Sequence, residues 1–321
     1  PSRGNDITAL SGLSTLDLIL IQRHILNIQP LSSAYKVIAA DVNQSGNVSN
    51  MDILLIKSLI LQMSNNYPSN EIWKFVNSDY VFSNPQQPFP YENSRSYSNA
   101  ANLTDQNFVA IKLGDVNNSW NPNTFKSQIA TTLNFDLADL NAVAGDIISI
   151  PVKVSNFNNI SGYQFTMNWN PNDFEFVGID NNELTGNYGT NQVSSGKITA
   201  LWSTENANGQ SLADGSIVFT LKLKVINQAN TISPVEINSA ITATEAYNSN
   251  LDQLTIVTTS ANIALNISTS VNDINKESYY LLQNSPNPFS ENTVITFNLP
   301  ENQKVSLVIY NLLGEEVYNF S

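Results

Sequence analysis

The sequence predicts a multidomain chain: a small α-helical module, then an all-β jelly-roll sandwich, then a fragment of a second β-sandwich. Three observations carry this. A polar punctuation mark followed by a strongly apolar segment occurs twice in the first third, 35 residues apart. From about residue 131 to 266 apolar residues alternate with polar ones at period two, broken at short intervals by Asn, Gly and Pro. A polar stretch then precedes a last block of short strands. The 321 residues suit two or three domains, at roughly 100–200 residues each. The expected boundaries are 1–120, a linker at 121–130, a sandwich at 131–266, a linker at 267–278 and a final block at 279–321.

Composition narrows the function classes. Fourteen Lys and Arg stand against 27 Asp and Glu, a net charge of −13, and that field repels a polyanion, so no nucleic-acid partner is expected. Charged residues are only 13%, about half of the usual share. The surface polarity comes instead from 48 Asn and 36 Ser, which suits an extracellular milieu. The absence of Cys excludes disulfides, zinc thiolates and a Cys nucleophile. The one histidine, His24, would have to anchor any Ser-His-Asp triad or multi-His metal site. It sits beside Arg23 and reads as a surface or helix-packing residue. No apolar run reaches ~18 residues, so no membrane-spanning helix is expected. The chain opens at Pro1 without an initiator Met or signal peptide, and is expected to begin inside a longer polypeptide.

In chain order, Ser14-Thr15-Leu16-Asp17-Leu18-Ile19-Leu20-Ile21 recurs as Ser49-Asn50-Met51-Asp52-Ile53-Leu54-Leu55-Ile56. Both segments are too long for strands and carry polar residues at helical spacing, so each predicts a helix, ending near Leu26 and Met63. Asp17 and Asp52 fall in the first turns, where a carboxylate favours the helix dipole. Residues 64–103 are irregular but rich in aromatics, and predict a flap packed on the helices. A short helix is expected over 104–113, with Thr104 as N-cap. In the sandwich, strands are expected at 133–137, 148–154, 163–169, 174–179, 197–203, 217–225, 232–246 and 254–265. The final block stops at Ser321 with no closing strand and is expected to be truncated.

The metal chemistry lies between the repeats. Asp41-Val42-Asn43-Gln44-Ser45-Gly46-Asn47-Val48-Ser49-Asn50-Met51-Asp52 fits a twelve-residue EF-hand-like calcium loop. Asp41, Asn43, Ser45, Ser49 and Asp52 place side-chain oxygens at positions 1, 3, 5, 9 and 12. Gly46 takes the sharp turn at position 6, and Asn47 offers a carbonyl at position 7. Calcium needs 6–8 hard oxygens, and this spacing points them at one centre. The bland alternative is an Asn/Ser/Gly turn before a helix cap.

The first helix lacks an intact loop of this kind. Counting back from Asp17 puts Asp6 at position 1, but the apolar Leu10 at position 5 and Gly12 at 7. Asp115-Val116-Asn117-Asn118-Ser119 supplies a good first half, and Gly12 to Asp17 a good second half. A split, circularly permuted loop is therefore expected, with Asp17, Asp115, Asn117 and Ser119 around one ion. The alternative is that both halves are plain capping segments.

The duplicated loop and helix resemble the type I dockerin, the calcium-dependent module of cellulosome-type assemblies, over about residues 5–120. The permuted arrangement ending in Gly114-Asp115-Val116-Asn117 looks like dockerin-like modules of Bacteroidota surface proteins. The resemblance implies that loop positions 10 and 11 and a basic residue one turn into each helix contact a cohesin partner. These map onto Thr15, Leu16 and Arg23 in copy one, and Asn50, Met51 and Lys57 in copy two. The family's usual Ser-Thr pair is missing at 50–51.

The β domain resembles a cohesin over 131–266. The similarity rests on Gly145-Asp146, Ile160 to Met167, Asp173-Phe174-Glu175-Phe176 and Leu212 to Phe219. Cohesins are jelly rolls that bind dockerins and are relatives of carbohydrate-binding sandwiches. Trp169 and Trp202 offer sugar-stacking rings if exposed, although alternation makes the core their default place. Residues 279–321 look like a type IX secretion C-terminal sorting domain, through Leu282 to Ser290, Val294 to Pro300 and Ile309 to Val317. That resemblance implies engagement of the type IX machinery and an extracellular or outer-surface location.

Together these readings imply a non-catalytic, secreted or cell-surface scaffolding or adhesion protein that binds calcium and pairs with cohesin- or dockerin-bearing proteins. The alternative is a carbohydrate-binding accessory segment of a polysaccharide-degrading enzyme or complex. No GxSxG, HExxH, P-loop or GxGxxG stands in a suitable context, so no enzyme is expected.

Overall fold

A computed structural model describes residues 8–98, 104, 106–120, 128–206, 208–227, 229–266, 280–300, 304–311 and 313–320. Asp6, the 121–127 part of the first expected linker and the second expected linker at 267–278 lie outside the described residues. The chain forms two compact units, Pro1–Ile267 and Ser268–Ser321.

The first unit opens with three helices: α1 (Thr15–Ile25), α2 (Ala34–Ala40) and α3 (Asn50–Ile60). Both repeat helices start in a capping box. Ser14 N–H donates to Asp17 Oδ2 at 2.9 Å, and Ser49 N–H to Asp52 Oδ2 at 2.9 Å. Such reciprocal caps satisfy donors that a helix start otherwise leaves orphaned. Leu18, Ile21, Ile53, Ile56 and Ile60 turn into one core with Val37, Ile38 and Leu113. The short α2 was not expected. Its Ser33 N-cap accepts from Lys36 N–H at 3.3 Å, and five of its seven residues are buried.

The helix expected over 104–113 is instead a strand. β1 (Trp73–Asn77) and β2 (Phe108–Lys112) pair antiparallel, with Phe75 opposite Ala110. A ten-residue helix is marginal without packing. Here Phe108, Val109 and Ile111 find a ladder partner in the aromatic flap, and β-branched and aromatic residues favour that outcome. The rest of the expected flap packs on the helices through Tyr80, Phe82, Phe89 and Tyr91, with Phe82 edge-on to Tyr35 at 5.5 Å.

The sandwich follows as β3 (Gln128–Asp136), β4 (Leu140–Val143), β5 (Ile147–Ser155), β6 (Ile160–Asn168), β7 (Phe174–Asn181), β8 (Asn187–Gly189), β9 (Lys197–Ser203), β10 (Ile217–Val225), β11 (Thr231–Asn238), β12 (Glu245–Asn248), β13 (Gln253–Thr259) and β14 (Ala261–Asn266). The expected strands 232–246 and 254–265 each divide in two. Strand neighbours run β4-β14-β11-β6-β12-β13-β3-β5-β10-β7, with β9 also on β6 and β8 on β9. Alternate residues of β5 point inward, Ile148, Ile150, Val152 and Val154 among them. They meet Phe135, Phe165, Phe219 and Leu221 in one core. Trp169 and Trp202 belong to that core, 3% and 5% exposed, so neither presents a sugar-stacking face.

α1 lies against β6, β9 and β12, and the end of α3 reaches β9. Leu201 of β9 joins the helical core rather than the sandwich core. The second unit pairs β15 (Tyr280–Leu281) with β16 (Phe297–Asn298), and β17 (Leu307–Tyr310) with β18 (Glu316–Phe320). Among its described residues no large apolar side chain is buried.

Candidate functional site

The two halves of the expected split loop come together. Asp17 Oδ1 accepts from Val116 N–H at 2.9 Å and Asn117 N–H at 3.1 Å, across about a hundred residues of chain. The split loop shares much of the hydrogen-bond plan of the continuous one, although Asn43 Oδ1 accepts from Ser45 N–H at 2.9 Å and only in the split loop does the closing aspartate accept from the N–H of the second residue, Val116. Asp41 Oδ1 and Oδ2 accept from Ser45 N–H at 2.9 Å and Gly46 N–H at 2.8 Å. Asp115 accepts from Ser119 and Trp120 N–H in the same way, at 3.0 and 2.8 Å.

The later loop positions match as well. Asn43 N–H donates to Asp52 Oδ1 at 3.1 Å, as Asn117 N–H does to Asp17. Ser45 Oγ donates to the Asn47 carbonyl at 3.1 Å, and Ser119 Oγ to the Gly12 carbonyl at 2.7 Å. The fourth loop residue has positive φ in both, Gln44 at 61° and Asn118 at 65°. The incoming element differs: α2 leads into Asp41, whereas strand β2 leads into Asp115.

Gly12 and Ser14 thus occupy positions 7 and 9 of the split loop. The sequence reading did not name them as ligands, although subtracting 35 from Asn47 and Ser49 yields both. Chain crossing is tight here. Gly12 has φ +76°, and a Cβ on it would stand 2.6–2.7 Å from Trp120 Cβ, Cα and N.

The electrostatics suit a hard cation. Asp17 is fully buried, and burial and the Asp115 charge both push its carboxyl above the usual carboxylate range. Burial also raises Asp115 and Asp41, against the pull of the N–H groups donating to each. Asn117 Oδ1 is buried and, among the described residues, has no hydrogen-bond partner. That orphaned oxygen lies at position 3, where a calcium loop aims a ligand inward. Each loop brings two carboxylates plus neutral oxygens, and among the described residues no three His, Cys, Asp or Glu converge. This donor set fits calcium rather than a softer metal.

The residues expected to meet a partner divide by copy. Thr15 is buried, and its N–H and Oγ1 both donate to Gln164 Oε1 of β6, at 2.7 and 2.8 Å. Arg23 donates to the Ser249 carbonyl, and its neighbour Gln22 to the Glu205 carbonyl. Leu16 is partly buried. In copy two, Asn50 and Met51 are exposed, and Lys57 is partly buried within reach of the Glu205 charge. His24 accepts from Leu31 N–H at 3.3 Å and packs at the helix end, where burial lowers its pKa.

Comparison with known proteins finds two domains in the chain. Residues 13–61 match the type I dockerin domain and residues 133–263 the cohesin domain. No curated protein matches the chain. Similar solved structures include a type I cohesin–dockerin complex from Clostridium thermocellum, at 16% identity over 42% of this chain and 99% of that one, TM-score 0.38. A type I cohesin from Pseudobacteroides cellulosolvens is 13% identical over 44% and 96%, TM-score 0.38. A non-cellulosomal cohesin from the archaeon Archaeoglobus fulgidus is 20% identical over 42% and 91%, TM-score 0.35.

Proposed function

We propose that this chain, which carries a type I dockerin domain followed by a cohesin domain, is a non-catalytic scaffolding or adhesion protein whose helical module is fastened by two calcium ions. Both matched domains are interaction modules, and a cohesin–dockerin type of protein–protein contact is the activity they supply. The observation that carries the calcium reading is the set of hydrogen bonds shared by the loops at Asp41–Asp52 and at Asp115–Trp120 with Gly12–Asp17.

Asp41, Asn43, Ser45, the Asn47 carbonyl, Ser49 and Asp52 would hold one ion. Asp115, Asn117, Ser119, the Gly12 carbonyl, Ser14 and Asp17 would hold the other. A bound ion supplies positive charge where burial raises the Asp17, Asp115 and Asp41 carboxyls above the usual carboxylate range. The N–H groups of each loop orient those carboxylates inward beforehand. The C-terminal residues 279–321 are proposed as a type IX sorting segment that places the protein at the outer cell surface, a reading supported by the motifs at Leu282–Ser290 and Ile309–Val317.

Calorimetric titration of calcium into the chelated chain tests the two-ion reading. The expected result is two ions per chain, with Asp41→Ala and Asp115→Ala each abolishing one. A single ion, lost only with Asp41→Ala, would leave the 115–120 segment a plain cap.

A further inference from the structure

The surfaces that would meet outside partners are already in use inside the chain. The N–H of Thr15, at the first position of α1, has no intrahelical acceptor, and Gln164 Oε1 takes it at 2.7 Å together with the Thr15 hydroxyl. Gln164 is itself buried in the middle of β6, and its Nε2 donates to the Ala243 carbonyl at 3.3 Å. At the other end, the last carbonyls of α3 are equally orphaned. Thr242 Oγ1 donates to the Ile60 carbonyl at 2.6 Å, Thr199 Oγ1 to that of Leu61 at 2.7 Å, and Asn191 Nδ2 to that of Gln62 at 3.1 Å. The sandwich thus supplies an acceptor where one helix starts and donors where the other ends.

Two glycines shape the same face. Gly162 lies within β6 and Gly189 ends β8, and neither has a positive φ. Backbone conformation does not demand glycine there, and glycine weakens a strand. A Cβ at Gly162 would stand 2.4 Å from Thr15 Cγ2, and one at Gly189 would stand 1.9 Å from the Leu61 carbonyl oxygen. Groups of the sandwich itself are also near, the Trp202 carbonyl at 2.9 Å and Thr199 Oγ1 at 2.4 Å. The closest approach in each case is nevertheless to the helical module.

The pairing has a direction. In copy two, Asn50 replaces Thr15 and Ser58 replaces Arg23. That helix leaves Met51 and Leu54 53% and 54% exposed, whereas the matching Ile19 of copy one is buried. Copy one therefore docks by its helix start and face, and copy two only by its C-terminal end.

We propose that the β6–β9–β12 face of the sandwich is the receptor for the α1 face of the same chain, so that the protein is a closed clasp and outside partners gain these surfaces only by competing with it. This rests on the interaction-module reading above and adds that each module's first partner is the other.

The test uses the full chain with a protease site placed within residues 121–127, cut in the presence of calcium. The two halves are expected to co-elute at micromolar concentration. Thr15→Arg puts a charge against Gln164 and Gly162 and is expected to weaken association about 100-fold or more. Asn50→Arg, at the matching position of copy two, is expected to leave it unchanged. Calcium titration of Thr15→Arg reports whether its module still folds. Should it not fold, Gln164→Ala on the sandwich side is expected to weaken association as well.

Separation of the wild-type halves, or equal loss from Thr15→Arg and Asn50→Arg, overturns the clasp. The underlying reading is judged apart from it, by whether the separated halves capture members of a panel of type I cohesins and dockerins. Capture without mutual association retains that reading and rejects the clasp; no capture and no association rejects both.

Discussion

Copy two of the repeat closes its loop within the twelve residues from Asp41 to Asp52, whereas copy one closes the same loop from two segments about a hundred residues apart. Many of the bonds are shared, but the entropy is not. Joining Asp115–Trp120 to Gly12–Asp17 closes a loop of about a hundred residues, at a cost that grows slowly with length. In return the second site is a tertiary fastener: whatever stabilises it ties the first and last elements of the module together. The continuous site orders only its own turn and the start of α3. The copy that needs the fastener also docks by its helix start, since Thr15 belongs both to the Gly12–Asp17 segment and to the contact with Gln164.

Calcium removal sharpens this contrast most. An ion at a hundredfold excess over its dissociation constant contributes about 2.7 kcal/mol, so two sites together amount to about 5 kcal/mol. Chelation is expected to lower the melting temperature of the 8–266 unit. Amide exchange is expected to rise across both 9–17 and 113–120, but only locally across 41–52. A chelated protein with an unchanged melting temperature would remove the calcium reading for both loops.

The chelated form should also carry a pH signature. Burial and Asp115 raise the Asp17 pKa from 3.8 to about 8. Between those values the folded chain binds more protons than the unfolded one, so this group's stability contribution is present below about pH 4 and lost as pH rises to about 8. Calcium, which needs the carboxylate ionised, is expected to flatten that slope. Melting curves at pH 4.5, 6 and 8, with and without calcium, measure it.

Smaller, but more local, is the contrast between Asp17→Ala and Asp52→Ala. Both lose a capping box, worth about 0.5–2 kcal/mol. Asp17→Ala also strands the N–H groups of Val116 and Asn117, and Asp52→Ala that of Asn43 alone, at about 1–3 kcal/mol each. A total of about 2.5–8 kcal/mol is expected for Asp17→Ala and about 1.5–5 for Asp52→Ala, by denaturant unfolding in saturating calcium. Equal costs would mean that the split loop does not fasten the module.

What the sequence made legible follows the same division between local and distant. The Asp41–Asp52 loop is legible because every ligand lies within twelve residues. The split loop was legible in outline through Asp115-Val116-Asn117, yet Gly12 and Ser14 emerge only when the repeat offset is applied to ligands as well as to helices. β2 was misread as a helix because the short apolar run Phe108–Ile111 fits either period, and the deciding partner, Trp73–Asn77, lies some 35 residues upstream. α2 is too short to show periodicity. The docking face was not legible at all. Gln164, Thr199 and Thr242 look like ordinary strand residues, and Gly162 and Gly189 like ordinary breaks, until the orphaned groups at Thr15, Ile60 and Leu61 are placed opposite them.

The smallest expected effect isolates the crossing of the split loop from the backbone geometry the two loops share. Gly12 and Gly46 both have φ near +80°, so alanine costs roughly 1–2 kcal/mol of left-handed strain at either. Around Gly46 nothing lies within 4 Å of the added Cβ, so Gly46→Ala is expected to cost that much and no more. At Gly12 the added Cβ meets the backbone of Trp120 at 2.7 Å. Trp120 cannot retreat without withdrawing its N–H from Asp115 Oδ2, 2.8 Å away. The crowding is expected to add about 1–3 kcal/mol and to weaken one of the two calcium sites, leaving the other untouched. The excess of Gly12→Ala over Gly46→Ala, read in saturating calcium, therefore measures how tightly the two distant segments are pressed together. An excess near zero would mean that Gly12 and Trp120 yield without cost, and that the split loop is a looser structure than its shared hydrogen bonds with the continuous one imply.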